Sequence, residues 1–170
     1  MGDSLTTIIA IFLAAILMFV FPLAAIADRN DDASQMYVQT TLDNFVNTVT
    51  AKGTLTKDDY DGLEAKLAAT NNSYEIELVI DVADVNPGKK TDNQKVGDTT
   101  YYSVYTAQIK QVITNNTKYT LKEGDYLKVS VKNTNNTISQ MIKNVLYGLT
   151  GNESYVIAGS ASGVVVTTGS

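Results

Sequence analysis

The sequence predicts an α+β protein: a long N-terminal apolar helix followed by a small α+β head with an antiparallel or mixed sheet. Three observations carry this expectation. Residues 5–27, LTTIIAIFLAAILMFVFPLAAIA, form an uncharged run of 23. Beyond the run the apolar spacing stays helical, with no Pro or Gly between Pro22 and Gly53. After Gly53, stretches with helical period take turns with stretches that alternate like strands.

The uncharged run comes first. As a helix at 1.5 Å per residue it would span roughly 35 Å, slightly more than a bilayer core. Ala25-Ile26-Ala27 ahead of Asp28 imitates an A-x-A cleavage site. However, the run exceeds a signal-peptide apolar core of about 7–15 residues, and no Lys or Arg precedes it. The expectation is a retained anchor, not a cleaved signal. Pro22 lacks an N–H and crowds the carbonyl of Met18, which predicts a kink or local melting that membrane helices tolerate. Asp3 or Ser4 suits an N-cap; in an assembly of staggered helices Asp3 could instead pair with a neighbour's terminal amine. Arg29, the single arginine, stands among Asp28, Asp31 and Asp32 and marks the water interface.

The helix is expected to continue to about Thr50. Met36, Leu42, Phe45, Val46 and Val49 form one stripe, Gln39, Asp43 and Asn47 a polar face, and Gly53 a C-terminal cap. This divides the chain into residues 1–53, a membrane or filament-core helix with an amphipathic continuation, and residues 54–170, the head.

A second helix opens at TKDDYDGLEAKLAAT, with Thr56 and Asp59 spaced as a capping box and Tyr60, Leu63 and Leu67 as its stripe. DYDG echoes a calcium loop, but that register puts Lys57 and Ala68 at ligand positions, so no metal is expected there. YEIELVIDV, residues 74–82, alternates as a strand. A connection over 83–98 follows, long enough to be exposed and functional; its PGKK lacks the flanking glycines and Ser/Thr of a phosphate loop. TYYSVYTAQIKQVI fits a strand or a helix, and the spacings of 4, 4 and 3 between Tyr101, Tyr105, Ile109 and Val112 favour the helix. KYTL is expected to pair back on the alternating strand around Leu127, Val129 and Val131, whose outward lysines suit a sheet edge. Ile138, Met141, Ile142, Val145, Leu146 and Leu149 give one face of a further helix, capped by Asn133, Thr134 or Asn136 and ended by Gly148 or Gly151. SYVIAGSASGVVVTTGS is expected to be a strand interrupted by a bulge near Gly159–Gly163 and resumed over Val164–Thr168.

Composition narrows the function. The 170 residues carry a net charge of −5 and contain no Cys, His or Trp. Scattered basic residues give no footprint for nucleic acid. Without His and Cys, the commonest general base, transition-metal ligand and thiol nucleophile are all missing. No base–nucleophile pair or ligand cluster emerges, so no enzyme, cofactor or metal is expected. Asn-x-Ser/Thr sequons stand at Asn71, Asn115, Asn135 and Asn152, all in predicted turns. With 14 Asn and 31 Ser plus Thr in 170 residues, four such sequons are little above chance.

The apolar helix, its proline near position 22, the amphipathic continuation and the α+β head together resemble the type IV pilin-like superfamily. FVNTVTAKGTLTKDDYDGLEAKLAATNNSYEIEL looks closer to the small TadE-like pseudopilins of tight-adherence (Tad) systems, with LKEGDYLKVSVKN and IAGSASGVV as weaker support. The family's usual Glu early in the helix is absent, and Asp3 is the residue that could take its role. The resemblance implies a structural subunit of an extracellular, cell-surface pilus-like filament. Such a subunit sits in the inner or cytoplasmic membrane before assembly, is handled by secretion and assembly machinery, and then packs with copies of itself in a homo-oligomeric helical filament. The assembly core would be Asp3, Leu5, Ile8, Ile9, Phe12, Leu13, Ile16, Leu17, Phe19, Val20, Pro22, Leu23 and Ile26, with Arg29 an interface candidate. Two other roles fit the same residues: a minor pseudopilin of a pilus or secretion system, and a membrane-anchored extracytoplasmic binding domain.

Overall fold

The computed structural model describes residues 2–83, 101–116, 118–147 and 157–169. A single helical rod opens the chain: α1 (Gly2–Ala15), a π-helical turn (Ile16–Val20) and α2 (Phe21–Lys52). The backbone stays helical on both sides of the π turn, with φ/ψ of −63°/−44° at Ala15 and −66°/−46° at Phe21. Pro22 therefore neither melts nor ends the helix. The wider turn just ahead of it includes Met18, the residue whose carbonyl the proline ring would crowd. Because the helix begins at Gly2, Asp3 and Ser4 lie inside its first turn, and neither is the cap. At the other end Gly53 adopts φ 67°, and its N–H donates to the Val49 carbonyl at 2.8 Å. A side chain there would also collide with Thr167 and Gly169, so only glycine fits.

The head is α+β. Its elements run β1 (Thr54–Thr56), α3 (Lys57–Ala68), β2 (Tyr74–Ala83), β3 (Tyr101–Tyr105), α4 (Thr106–Asn116), β4 (Lys118–Thr120), β5 (Tyr126–Asn133), α5 (Ile138–Tyr147) and β6 (Ala158–Val164). β2, β3, β5 and β6 form an antiparallel sheet in the order β3-β2-β5-β6, while β1 and β4 pair separately, also antiparallel. Leu78, Ile80 and Val82 of β2 and Leu127, Val129 and Val131 of β5 are buried together on one face of the sheet. α2 supplies Val38, Leu42, Phe45, Val46 and Val49 to the same core, α3 supplies Tyr60, Leu63 and Leu67, and α4 supplies Ile109 and Ile113. Met36, placed in the stripe by spacing, is instead exposed, and Val38 takes its position.

Local signals translate directly. Thr56 caps α3 by accepting from the Asp59 N–H at 3.2 Å, and the Asp59 carboxylate accepts in return from the Thr56 N–H at 2.9 Å. Non-local pairing departs from expectation in four places. Tyr101–Tyr105 is a strand, because main-chain bonds to β2 are open to it. The helix waits until Thr106, whose hydroxyl accepts from the Leu78 N–H at 2.7 Å and donates to the Leu78 carbonyl at 3.1 Å. β4 pairs with β1 rather than with β5, and the Leu121 N–H donates to the Gly53 carbonyl at 2.8 Å to tie the pair to the end of α2. β5 is an interior strand, not an edge, although Lys128 and Lys132 do point to solvent. β6 pairs with β5 in unbroken register from Lys132↔Ala158 to Tyr126↔Val164, so there is no bulge.

The glycines of β6 have a tertiary cause. Gly159, Ala161 and Gly163 alternate onto the face covered by α2, and Ser160 and Ser162 face away. A Cβ at Gly159 would lie 2.9 Å from Leu42 Cδ1 and 3.1 Å from Val38 Cγ1; one at Gly163 would lie 2.9 Å from Val46 Cγ1. The missing side chains make a channel in which the helix lies close to the sheet. Gln35 and Gln39 then reach past this contact to the strand's outer edge. The Gln35 amide bonds both the N–H and the C=O of Ala158, and Gln39 donates to the Ser160 carbonyl at 2.9 Å. Side chains of the helix thus stand in for part of a missing neighbour strand.

Candidate functional site

Among the described residues, none of the head covers the first half of the rod. Leu5, Ile8, Phe12, Leu17, Phe19 and Ile26 are all more than half exposed, Met18 as much as 71%. Ile9, Leu13 and Leu23 are also more than half exposed; Ile16 and Val20, in the π turn, are partly covered, and Pro22 is exposed. At 100° per residue these positions surround the helix instead of marking one stripe. An 18-residue window of it has a mean hydropathy of 2.8 with none of its residues buried. The helix is long and apolar enough to cross a membrane, a property shared by N-terminal anchors and signal sequences. Asp3, Thr7, Ala10 and Ala14 line one shallow, small-residue side of the cylinder, where another helix backbone can approach closely. Asp3 carries the only charge in that stretch, and the Thr7 hydroxyl donates to its carbonyl at 2.7 Å.

The apolar half gives way to the head over one turn. Ala27, Asp31 and Ser34 are buried, and α5 lies against them. The Thr137 hydroxyl, cap of α5, donates to Asp31 at 2.6 Å, while its N–H donates to Gln140 at 2.7 Å. Thr137, not Asn133, Thr134 or Asn136, is therefore the cap: the Gln140 N–H returns the bond to its hydroxyl at 3.2 Å. Asp28 accepts from Ser139 and pairs with Lys143 at 2.7 Å. Arg29 is exposed beside this junction.

A cleft of about 550 Å³ opens between α2 and two loops, lined by Asn30, Asp31, Tyr37, Asn71, Asn72 and Asn135 among others. Its wall is held by carboxamides. Asn135 accepts from the Ser73 N–H at 2.8 Å and donates to Asn72 at 3.0 Å. Of the sequons, Asn71 is exposed at φ 57°, Asn135 is half-buried in these bonds, and Asn115 sits in the last turns of α4, not in a turn between elements. Asn152, the 84–98 part of the long connection, and Gly148, Leu149 and Gly151 lie outside the described residues, as does the Leu146 side chain. Only the repeated Asn in NNS and NNT hinted at this cleft.

On the opposite face of the sheet, Asp81 accepts from Lys128 at 2.6 Å and from Ser103 at 2.6 Å. The Lys128 ammonium, then the Ser103 hydroxyl, hold the Asp81 carboxyl below its ordinary value. Partial burial pushes the Asp59 carboxyl up, but Lys52 and Thr56 outweigh it and bring it below the ordinary value. Both acids act as structural clasps. Among the described residues, no group of three or more carboxylates is placed to hold a metal. Comparison with protein-family models, curated proteins and solved structures yields no match, so a functional reading rests on the chain's own residues.

Proposed function

We propose that the chain is a structural subunit of an extracellular pilus-like filament, held in a membrane by residues 5–27 before assembly and packed afterwards through the same helix. One observation carries the reading. A single uninterrupted rod is apolar and bare over its first half and forms the core of the head over its second. A helix anchored in this way transmits the position of its apolar half rigidly to the head. A flexible tether would serve a plain anchor equally well; a rigid spine suits an assembly in which heads must repeat in register.

The energetics are permissive. Removing so much apolar helix from water is worth tens of kcal/mol gross at about 25 cal/mol per Å². A bilayer already provides nearly all of it, so association depends on close packing, for which the Thr7–Ala10–Ala14 side offers an approach. Lateral packing would also place Asp3 within reach of a neighbour's terminal amine.

The test is electron microscopy and mass spectrometry of material sheared from the cell surface, for the natural chain and for Leu13→Lys and Ile16→Asp. Filaments composed mainly of this chain, lost in either variant while the head stays folded, would support the proposal. Normal filaments from both variants would refute a bundled core. A trace of the chain in filaments of another protein would make it a minor subunit. Retention in the membrane without filaments would make it an anchored extracytoplasmic domain.

A further inference from the structure

α5 is inside out for a helix on a water-soluble head. Its residues Ser139 and Gln140 are buried, at 1% and 4% exposure, whereas Ile138, Met141 and Val145 face outward at 61%, 50% and 84%. These three recur at spacings of three and four, so they form one continuous apolar stripe. A stripe of this kind on a helix ordinarily packs inward. Among the described residues, the bonds that fasten the inner side are polar, Thr137 to Asp31 and Ser139 and Lys143 to Asp28, and Ile142 is only partly covered.

The position of the helix explains the inversion. As α5 advances from Thr137 to Lys143, its partners on α2 step back from Asp31 to Asp28. Ser139 and Lys143 both reach Asp28, so α5 is fastened to the rod at Asp31 and Asp28. Asp28 is the first charge after the 23 uncharged residues, so α5 lies at the level where that apolar surface ends. Lys143, the only charged side chain on α5, is turned to Asp28 instead of outward.

We infer that α5 is a second membrane contact: an interfacial helix that lays Ile138, Met141 and Val145 into the headgroup boundary of the bilayer and fixes the depth of the head. This rests on residues 5–27 being membrane-spanning before assembly. Interfacial helices of this kind sink about 5–10 Å into the boundary, and the ten residues of α5 reach along it for about 15 Å. The charge arrangement fits: cation and acid neutralise each other on the protein side, and the lipid side carries neither.

The chain has no cysteine, so single labels are unambiguous. The full-length protein is reconstituted in phosphatidylcholine vesicles at low density, with a fluorophore at Met141→Cys, Val145→Cys, Leu13→Cys or Ser162→Cys. Quenching is read with lipids nitroxide-labelled on the acyl chain and with iodide in the water. The expected result is strong lipid quenching and loss of iodide quenching at Met141 and Val145, approaching Leu13, with the reverse at Ser162. Iodide quenching at Met141 and Val145 equal to that at Ser162, with Leu13 quenched by lipid, would overturn the inference and leave the spanning segment intact. Absence of lipid quenching at Leu13 would overturn the spanning segment itself. Protection from both quenchers at Met141 and Val145 would assign the stripe to a second copy of the chain and equally overturn the inference.

Discussion

The contact between α2 and β6 is a lock whose strength is measurable by a double-mutant cycle. Gly159→Ala places a methyl 2.9 Å from Leu42 Cδ1 and 3.1 Å from Val38 Cγ1, closer than side chains approach, so Leu42 or the strand must move. Overpacking of this kind costs about 1–3 kcal/mol. It is offset by about 0.4–1 kcal/mol from the lower entropy of the unfolded chain, because alanine suits a strand backbone. The net expectation is a loss of about 0.5–2 kcal/mol. Leu42→Ala removes a fully buried side chain and should cost about 2–5 kcal/mol, depending on how far the site collapses. In the double variant the new methyl at position 159 occupies part of the space that Leu42 vacates. The two losses should therefore fall short of additivity by on the order of 1 kcal/mol, within the range seen for contacting residues. Urea unfolding of the full chain in detergent measures this. Near-UV circular dichroism of the tyrosines is the appropriate signal, since far-UV signal from the apolar helix persists in the micelle. Additivity within about 0.3 kcal/mol would show that Gly159 and Leu42 do not share space, and the channel account of β6 would fail.

Two further perturbations address the clasps. Thr56→Ala removes the cap of α3 and leaves the Asp59 carboxylate with one partner fewer, so the head should lose about 1 kcal/mol in the same unfolding assay; an unchanged midpoint would mean the capping box is dispensable. Lys128→Met should raise the Asp81 pKa toward the ordinary carboxylate value. The natural pair depresses the folded-state pKa, so its contribution is complete above about pH 4, the unfolded value, and fades as pH falls through the folded one. The variant should consequently be less stable than the natural chain at pH 6 and converge with it in acid; a stability gap that stays constant down to pH 2 would contradict this linkage.

Much of the fold was legible because its causes are local. Gly53 ends α2 since the left-handed conformation is a backbone property of one residue. Thr56 and Asp59 close their box within a single turn, and β2 shows its buried face through a period of two. Residues 101–112 were not legible, for a physical reason. Tyr101, Tyr105, Ile109 and Val112 satisfy a helical period, yet the first five residues gain more by pairing with β2, a partner some twenty positions away. The pairing of β4 with β1 is equally non-local. Gly159 and Gly163 read as a bulge because glycine signals backbone freedom. Their actual cause is the closeness of a helix more than 110 residues earlier in the chain, which no local pattern encodes.

The candidate site divides along the same line. The bare half of the rod was legible from composition alone, since 23 uncharged residues need no tertiary knowledge to be recognised. The face of α5 was not. Periodicity shows that Ile138, Met141 and Val145 share a side, but assigning that side to the interior adds an assumption that the surroundings are water. Which side turns inward depends on what the neighbouring helix offers, and α5 meets α2 at the end of the uncharged run. Asp28 and Asp31 sit at that end and draw Ser139, Lys143 and Thr137 inward, which leaves the apolar stripe facing out. The buried Asp31 is therefore better explained as the element that orients α5 than as a site of chemistry. Replacing it by leucine would remove the hydroxyl's acceptor and the polar reason for the helix's present orientation, leaving the stripe free to turn toward α2.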